Sequence, residues 1–293
     1  QTKTGRTDDP DNRVYDWSWL VNANSNEPLP MKPVSSRYNL VLHPELFDAQ
    51  ATTIYNNPNL PHENIRCVDT IYENGAKATR TVFFDDLQWD IDGQGTVTAR
   101  TDTVNSYDSS WAFQLFAGAY RSYCRNTCVF GGRKTFHAKK KHTPGLNVQM
   151  LLESSMFSVS DFENARLQME QWKNTDIFPW TFANLLERTL CKVKANSRKS
   201  GSEINERLKG YLISVFNAQK SALGSTAWNA YNAMTQWSSH HAVDWIDIDS
   251  DNNSVTRNTG SITGNPHTVL ADRQHKVRTV LSSPEWEELA RAA

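Results

Sequence analysis

The stretch from Asn105 to Gly145 constrains the fold of this chain more than any other. It opens with Asn-Ser-Tyr-Asp, continues through an apolar run that ends near Asn126, and becomes basic after Gly131-Gly132. The pattern predicts a strand end, a helix with one apolar face, a tight glycine turn and a basic loop or hairpin. Such a stretch would form a rigid platform that presents a basic tip.

The residues before this stretch predict a small antiparallel sheet with one helix. Strands are predicted at Arg37–Leu42, Ile65–Tyr72, Lys77–Phe84 and Thr96–Val104, and a helix at Leu46–Tyr55. Pro44 favours the helix start because proline fits a first helical turn. Glu73-Asn74-Gly75 favours a hairpin because Asn and Gly accept positive φ. Asp85–Gly95 is predicted to be an acidic loop.

From Leu146 onward the apolar residues recur at helical spacing. Helices are predicted at Val148–Trp172, Trp180–Lys194, Glu203–Leu223, Thr226–Trp245 and Thr268–Leu281, with a last one beginning at Ser283-Pro284. Asp247–Pro266 is rich in Asp, Asn, Ser, Thr and Gly, which is typical of a loop. The predicted fold class is α+β, with an antiparallel sheet and helices in the N-terminal half and a mainly helical C-terminal half.

Four regions are predicted along the chain. They are an N-terminal arm at 1–35, an α+β core with the basic loop at 36–145, a helical region at 146–246, and a loop with C-terminal helices at 247–293. The arm is polar except around Trp17, Trp19 and Leu20. These side chains are predicted to dock either on the rest of the chain or on a neighbouring subunit.

Composition excludes several classes of protein. The 293 residues are 38% hydrophobic and include ten tryptophans, which is enough for a globular core. The formal net charge of -1 means that any nucleic-acid binding must come from local clustering. No apolar run approaches the roughly 20 residues of a membrane helix. Four irregularly spaced cysteines favour a reduced, cytoplasmic compartment over a disulfide framework.

A cluster of positive charge is the strongest candidate for a binding site. The predicted nucleic-acid-binding residues are Arg133, Lys134, Phe136, Lys139, Lys140, Lys141 and Arg100. Five of these cations lie within nine residues, and such a cluster attracts a phosphate backbone. Phe136 is of a type that stacks on bases. The alternative is a solvated surface loop. A second basic group, at Lys192, Lys194, Arg198 and Lys199, supports binding if it shares a face with the first.

Metal binding and catalysis are the weaker interpretations. Cys124, Cys128, His137 and His142 imitate a zinc ligand set, but the gap between the pairs is shorter than in zinc fingers. The chain carries no phosphate loop, nucleophile elbow or dinucleotide fingerprint. The sequence therefore predicts no metal, no cofactor and no enzymatic activity.

Several segments together carry a resemblance. They are Ser35–Ala49, Asn105-Ser106-Tyr107-Asp108, the triplet Arg121, Cys124 and Asn126, His142-Thr143, and a late run of Trp228, Asn232, Ala233, Thr235 and His240. In this order they resemble a phage- and plasmid-encoded family catalogued as a domain of unknown function, the DUF932-type family. Ser109 and Thr127 stand where that pattern has glycines, so a turn with positive φ is expected to differ there.

The resemblance implies a mobile-element origin and a bacterial host cell. The strand-strand-strand-helix unit is also similar to the core of phage single-strand annealing proteins, which bind DNA on oligomeric rings or filaments. The leading hypothesis is a DNA-binding protein that binds or anneals single-stranded DNA in recombination or replication, as a homo-oligomer. The alternative is a non-catalytic assembly protein that forms homo-oligomers without nucleic acid.

Overall fold

The computed structural model of the chain describes residues 2–8, 14–21, 27–28, 31–91, 95–121, 127–128, 137–194, 202–239, 247–248, 254–255 and 266–291. The strands are β1 (Thr2–Asp8), β2 (Val14–Leu20), β3 (Val34–Ser35), β4 (Ile65–Tyr72), β5 (Lys77–Asp90), β6 (Thr96–Ser106), β7 (Phe113–Arg121), β8 (Thr127–Cys128), β9 (His137–Lys140), β10 (Lys192–Lys194), β11 (Ser202–Ile204), β12 (Asp247–Ile248) and β13 (Ser254–Val255). The helices are α1 (His43–Tyr55), α2 (Val148–Ser155), α3 (Val159–Lys173), α4 (Pro179–Arg188), α5 (Glu206–Leu223), α6 (Ala227–Ser239), α7 (Pro266–Leu281) and α8 (Pro284–Arg291).

The predicted fold class is confirmed, because the chain combines an antiparallel sheet with helices and is mainly helical after residue 146. The chain divides into two compact units. The first comprises residues 1–87, 99–117 and 135–158, and the second comprises 88–98, 118–134 and 159–293. None of the described helices is long and apolar enough to cross a membrane.

The main sheet has six strands in the order β4-β5-β6-β7-β8, with β9 pairing on β7 as well. The β4–β5 hairpin pairs Ile65 with Phe84 and Tyr72 with Lys77. Its turn has positive φ at Glu73, Asn74 and Gly75, as the Asn-Gly pair predicts. β9 pairs with the first half of β7, from Phe113 opposite Lys140 to Phe116 opposite His137.

Helix α1 covers one face of the hairpin in the first unit. Pro44 lies in its first turn, and the helix ends where Asn56 and Asn57 precede Pro58. Its apolar side chains join strand residues and α2 in one buried cluster. The members are Leu46, Phe47, Ala78, Phe113, Leu115, Ala138, Leu146 and Leu152. Burial of this apolar surface holds α1, β5, β7, β9 and α2 together.

Helix α6 is the centre of the helical part of the second unit. All of its residues from Ala227 to Ser238 are buried except Gln236. Its Trp228 and Tyr231 belong to an aromatic cluster. In this cluster the ring centroid of Trp172 lies 5.1 Å from the ring centroids of both Tyr231 and Trp286. A helix that is buried on all sides must satisfy its polar groups internally. The Asn229 side-chain nitrogen does so by donating to Phe216 O and Gly224 O.

The helix predicted after Asn105 is wrong, because the segment forms β7. Residues 113–117 are all buried and Ala119 is fully buried. A strand buried on both faces has a continuous apolar run instead of strict alternation, and such a run does not distinguish a strand from a buried helix.

The acidic loop predicted at Asp85–Gly95 is also wrong in its first half, since β5 continues through Asp90. Leu87 and Ile91 are buried beyond the predicted strand end. Two of the carboxylates are engaged locally: Asp85 lies 3.2 Å from Arg66, and Asp86 accepts from the Asn64 side chain at 2.6 Å. Paired charges on an exposed face are compatible with a strand.

Other boundaries also differ from the predictions. The predicted strand Arg37–Leu42 is absent, because Asn39 donates its N–H to His142 O instead of joining a sheet ladder. The predicted helix Val148–Trp172 is two helices, α2 and α3. Trp180–Lys194 ends early, since α4 stops at Arg188 and β10 follows. Ser283 caps α8 by accepting from the Trp286 N–H, as predicted.

The N-terminal arm contains strands in its described part. β1 and β2 pair along their whole length, and β3 pairs with β2. Leu20, Val21 and Val34 are buried. The predicted loop at Asp247–Pro266 contains the short β12–β13 pair, and the predicted turn at 196–201 lies outside the described residues.

Candidate nucleic-acid interface and the buried motif cluster

Lys139, Lys140 and Lys141 form an exposed run at the end of β9, which we call the lysine segment. β9 is held in place by its pairing with β7 and by Ala138, which is buried in the core of the first unit. Among the residues whose side chains are described, none forms an ion pair with Lys140 or Lys141. The anchored end of β9 therefore presents Lys140 and Lys141 without an ion pair to any described acidic side chain.

The residues on either side of the lysine segment are anchored. The His137 ring stacks on Phe116 with centroids 4.5 Å apart, and His137 Nε2 lies 3.4 Å from Gln114 Oε1. His142 is buried directly after Lys141. Anchors at both ends limit the positions that the lysine backbone can take.

The remaining predicted binding residues fall into two groups. Arg133, Lys134 and Phe136 lie outside the described residues, so their part in the site stays a prediction. Arg100 lies on β6 with its Nε 2.9 Å from Asp102 Oδ2, and only 16% of its side chain is exposed. Asp102 also accepts from Thr81 Oγ1 at 2.6 Å. Arg100 therefore already has an acidic partner, whereas no described side chain forms an ion pair with Lys140 or Lys141.

The second basic group belongs to the second unit. Lys192 is exposed on β10, which pairs with β11, and Lys194 ends the same strand. Arg198 and Lys199 lie outside the described residues. The second basic group and the lysine segment thus belong to different units, and their sharing one face stays a prediction.

Only two side chains of the suggested zinc ligand set, those of His137 and His142, are described. Among the described residues, no group of three or more His, Cys, Asp or Glu side chains could hold a metal ion. His137 is stacked on Phe116, and His142 points its Nδ1 at Asn39 O at 3.1 Å. Cys124 lies outside the described residues.

The structure brings together five polar residues that sequence reasoning did not select as a site. They are Tyr38, His43, Asn105, Tyr107 and His142, and we call them the motif cluster. Asn105 Nδ2 lies 2.9 Å from both Val41 O and His43 Nδ1. His43 Nε2 lies 3.1 Å from Gly75 O. Since a carbonyl only accepts, His43 carries its hydrogen on Nε2 and accepts from Asn105 at Nδ1.

Tyr107 completes the first turn of α1. Its hydroxyl oxygen accepts from the His43 backbone N–H at 2.7 Å, and its ring stacks on the His43 ring with centroids 3.8 Å apart. The N-cap residue Leu42 has no side chain able to cap the helix. A residue from the far end of β6 therefore satisfies a backbone donor that the helix itself leaves unpaired.

His142 and Tyr38 form the other half of the motif cluster. Their rings stack with centroids 4.9 Å apart, and the Tyr38 hydroxyl donates to Ser106 O at 2.6 Å. The backbone of Asn39 donates to His142 O at 3.1 Å. The segment before α1 is thus fixed to both the end of β6 and the residue after the lysine segment.

Burial controls the ionisation of this cluster. It lowers the pKa of both His43 and His142 below the ordinary histidine value, with the charge of His142 as a smaller contribution at His43. It raises the pKa of Tyr38 and Tyr107. His142 Nε2 and Asn105 Oδ1 are buried acceptors with no hydrogen-bond partner in the described structure. The cluster is therefore neutral, and its geometry serves to connect elements.

Most residues of the motif cluster come from the sequence motifs that carry the family resemblance. Asn105 and Tyr107 come from the Asn-Ser-Tyr-Asp run, His142 from the His-Thr pair, and His43 from the segment that contains α1. Ser109 takes φ +59°, so a serine adopts the positive-φ conformation for which glycine was expected. Positive φ at this position therefore does not require glycine in this chain.

These motif positions agree with a comparison against known families. The family model described as "Domain of unknown function (DUF932)" matches residues 74–274, more than two thirds of the chain. The chain belongs to the DUF932 family. No curated protein and no solved structure matches it. The DUF932 match contains Asn105, Tyr107 and His142, whereas Tyr38 and His43 precede it.

Proposed function

We propose that this DUF932 protein binds single-stranded DNA through the lysine segment, as a homo-oligomer in the cytoplasm of a bacterial host. The observation that carries the proposal is the run of three exposed lysines on an anchored strand. Clustered cations release counterions from a phosphate backbone on binding, which gives sequence-independent affinity. Arg133 and Lys134 precede the segment in the sequence and are further cations of the proposed site.

The buried motif cluster supports a binding function more than a catalytic one. Its histidines are neutral and enclosed, and each points a ring nitrogen at a backbone carbonyl. A general acid or base must reach its substrate directly or through one water. The proposal therefore assigns the cluster to architecture and the lysine segment to the ligand. The role we propose for the lysine segment is binding or annealing of single strands in recombination or replication.

The test is a titration of fluorescent oligo-dT across a salt series. We expect affinity to fall with increasing salt, with a slope of roughly 0.7 for each phosphate contact. The triple variant Lys139→Gln, Lys140→Gln, Lys141→Gln should bind at least about tenfold more weakly at low salt. The plot of its log affinity against log salt concentration should be less steep, by up to about two in slope.

A matched control removes the same charge elsewhere. Arg188, Lys220 and Lys276 are exposed on three helices of the second unit, and their triple substitution by Gln should leave both affinity and slope near the wild-type values. Equal loss in the two triple variants would show that net charge alone matters. Absent or salt-independent binding by the wild-type protein would overturn the proposal.

The alternative, an assembly protein without a nucleic-acid role, is favoured by a different observation. Val68 and Ile71 are large apolar side chains exposed on β4 at the edge of the sheet. Mass measurements on the full chain and on a chain lacking residues 1–35, each with and without oligo-dT, distinguish the two functions. Oligomers that form without oligo-dT, together with no DNA binding, would favour the assembly protein, and their loss on truncation would place the contact in residues 1–35 instead of β4.

A further inference from the structure

The outer edge of β4 is unpaired in the described structure. β4 is the first strand of the sheet order, and its only partner among the described strands is β5. The Asp85 N–H donates to Asn64 O at 3.0 Å, so the even-numbered residues of β4 direct their backbone groups to β5. Ile65, Cys67, Asp69 and Ile71 therefore present their N–H and C=O groups at the open edge.

The same edge exposes apolar side chains on both faces. Val68 is 46% exposed and Ile71 is 56% exposed, and they lie on opposite faces because their numbers differ in parity. On the α1 face, a groove of about 410 Å³ lies between the helix and the edge, lined by Ile54, Tyr55, Ile65 and Val82 among others. A long open edge with apolar side chains is a template for strand addition.

We propose that β4 pairs antiparallel with β4 of a second copy, about a two-fold axis through Val68. Directly opposite residues of such a pair lie on the same face. The two-fold axis must therefore pass midway between the two copies of one residue, so that this residue faces itself. With Val68 at the centre, Val68 faces Val68, Ile65 faces Ile71, Cys67 faces Asp69, and Arg66 faces Thr70. Both large exposed apolar side chains of β4, Val68 and Ile71, then meet an apolar residue.

Charge selects this register over its neighbours. An axis through Asp69 would place the two Asp69 carboxylates opposite each other, and like charges directly opposite are destabilising. An axis through Cys67 would place Ile65 opposite Asp69. With the axis at Val68, no like charges within β4 face each other. Both charged residues of β4 also keep their pairs with β5, Arg66 with Asp85 and Asp69 with Arg80.

The hydrogen-bonding pattern fits the same register. In this register the open-edge residues face one another. The pairs are Ile65 with Ile71 and Cys67 with Asp69. All their outward N–H and C=O groups therefore find partners in the second copy. Val68 becomes a non-hydrogen-bonded pair, in which Cα atoms are about 4.5 Å apart and side chains touch.

The second copy would also cover part of the groove beside α1. Ile71 of the partner would lie against Ile65, at the mouth of the groove beside α1. Burial of Val68, Ile65 and Ile71 from both copies supplies the apolar contact that an exposed edge lacks. This pairing gives the proposed homo-oligomer a defined interface. The β4 pairing does not depend on DNA. Failure of this interface and failure of DNA binding by the lysine segment can therefore be told apart.

The first experiment uses charge at the centre of the interface. Sedimentation equilibrium of the wild-type protein without DNA should give a dimer or a multiple of it. Val68→Lys and Val68→Glu should each lower the mass by half or more, because each places like charges opposite each other. An equimolar mixture of the two variants should restore the wild-type mass, which excludes unfolding as the cause. A monomeric wild-type protein, or a Val68→Lys variant with unchanged mass, would overturn the proposal.

The second experiment fixes the register. In a Cys67→Ser background, Val68→Cys should form a covalent dimer on mild oxidation, since the paired Cβ atoms lie near disulfide distance. Thr70→Cys in the same background is the matched control. The two Thr70 residues of a dimer lie about four residues apart along the strands, roughly 13 Å, which is beyond disulfide reach. Equal crosslinking of the two variants would contradict the axis at Val68.

Discussion

Lys141 is exposed and the next residue, His142, is buried, so the chain passes between two kinds of polar region within one peptide bond. The lysine segment presents charge to solvent, whereas the motif cluster holds neutral polar groups against one another. The lysines need only be exposed and clustered to attract a polyanion. The cluster residues must each meet a particular partner, because a buried polar group without one is costly.

The difference shows where the family motifs act. Asn105 and Tyr107 connect β6 to α1, and His142 connects the end of the lysine segment to the residues before α1. The polar groups of these residues form hydrogen bonds within the fold. A motif made of His, Asn and Tyr therefore indicates how this unit is built, and the proposed ligand site lies beside it.

Asn105→Ala should produce the largest effect of any single change in this comparison. It removes two hydrogen bonds from a fully buried amide and leaves Val41 O and His43 Nδ1 unpaired. We expect a loss of roughly 2–4 kcal/mol in the free energy of unfolding. Urea unfolding followed by tryptophan fluorescence measures it.

The matched comparison is Lys140→Ala, which removes an exposed side chain from the neighbouring segment. Its free energy of unfolding should stay within about 0.5 kcal/mol of the wild-type value. Similar stability of the two variants would mean that the motif cluster does not hold the first unit together.

Acidification should weaken the cluster before it affects the lysine segment. The folded-state pKa of His43 and of His142 lies below the unfolded value near 6.5, so the unfolded chain binds protons first as pH falls. Stability contributed by these neutral histidines is complete above about pH 6.5. It is lost below that pH, by up to about 1.4 kcal/mol per pH unit for each histidine.

Unfolding titrations between pH 7.5 and 5.5 measure this dependence. His142→Gln removes one of the two groups, so its stability should change less with pH than that of the wild-type protein. A wild-type stability that is flat, or that rises on acidification, would contradict the neutral state assigned to the cluster.

Local chemistry was the part of the fold that the sequence predicted well. The Asn-Gly turn after β4, the proline start of α1 and the Ser283 cap all depend on residues close in the chain. The identity of β7 depends on tertiary surroundings. Its apolar run suits both a buried strand and a buried helix, and only pairing with β9 and its other neighbours decides between them.

The candidate site shows the same division. The exposed lysines could be selected from sequence because clustered charge needs no partner to be recognised. The cap that Tyr107 supplies to α1 could not, since 64 residues separate the two partners. Motif membership marked Asn105 and Tyr107 as important, but spacing alone does not show which backbone groups they satisfy.

Ser109→Gly should produce the smallest effect, and it tests the exposed end of the motif. Ser109 has φ +59° and an exposed side chain, and it lies inside a turn in which Asp108 Oδ1 accepts from Ser110 N–H at 3.0 Å. Glycine adopts this conformation without the Cβ strain that serine bears. We expect the free energy of unfolding to rise by about 0.5–1 kcal/mol, while Ser109→Ala, which keeps the Cβ, should change it little. If the glycine and alanine variants were both destabilised, the serine hydroxyl would be shown to contribute to the stability of this turn.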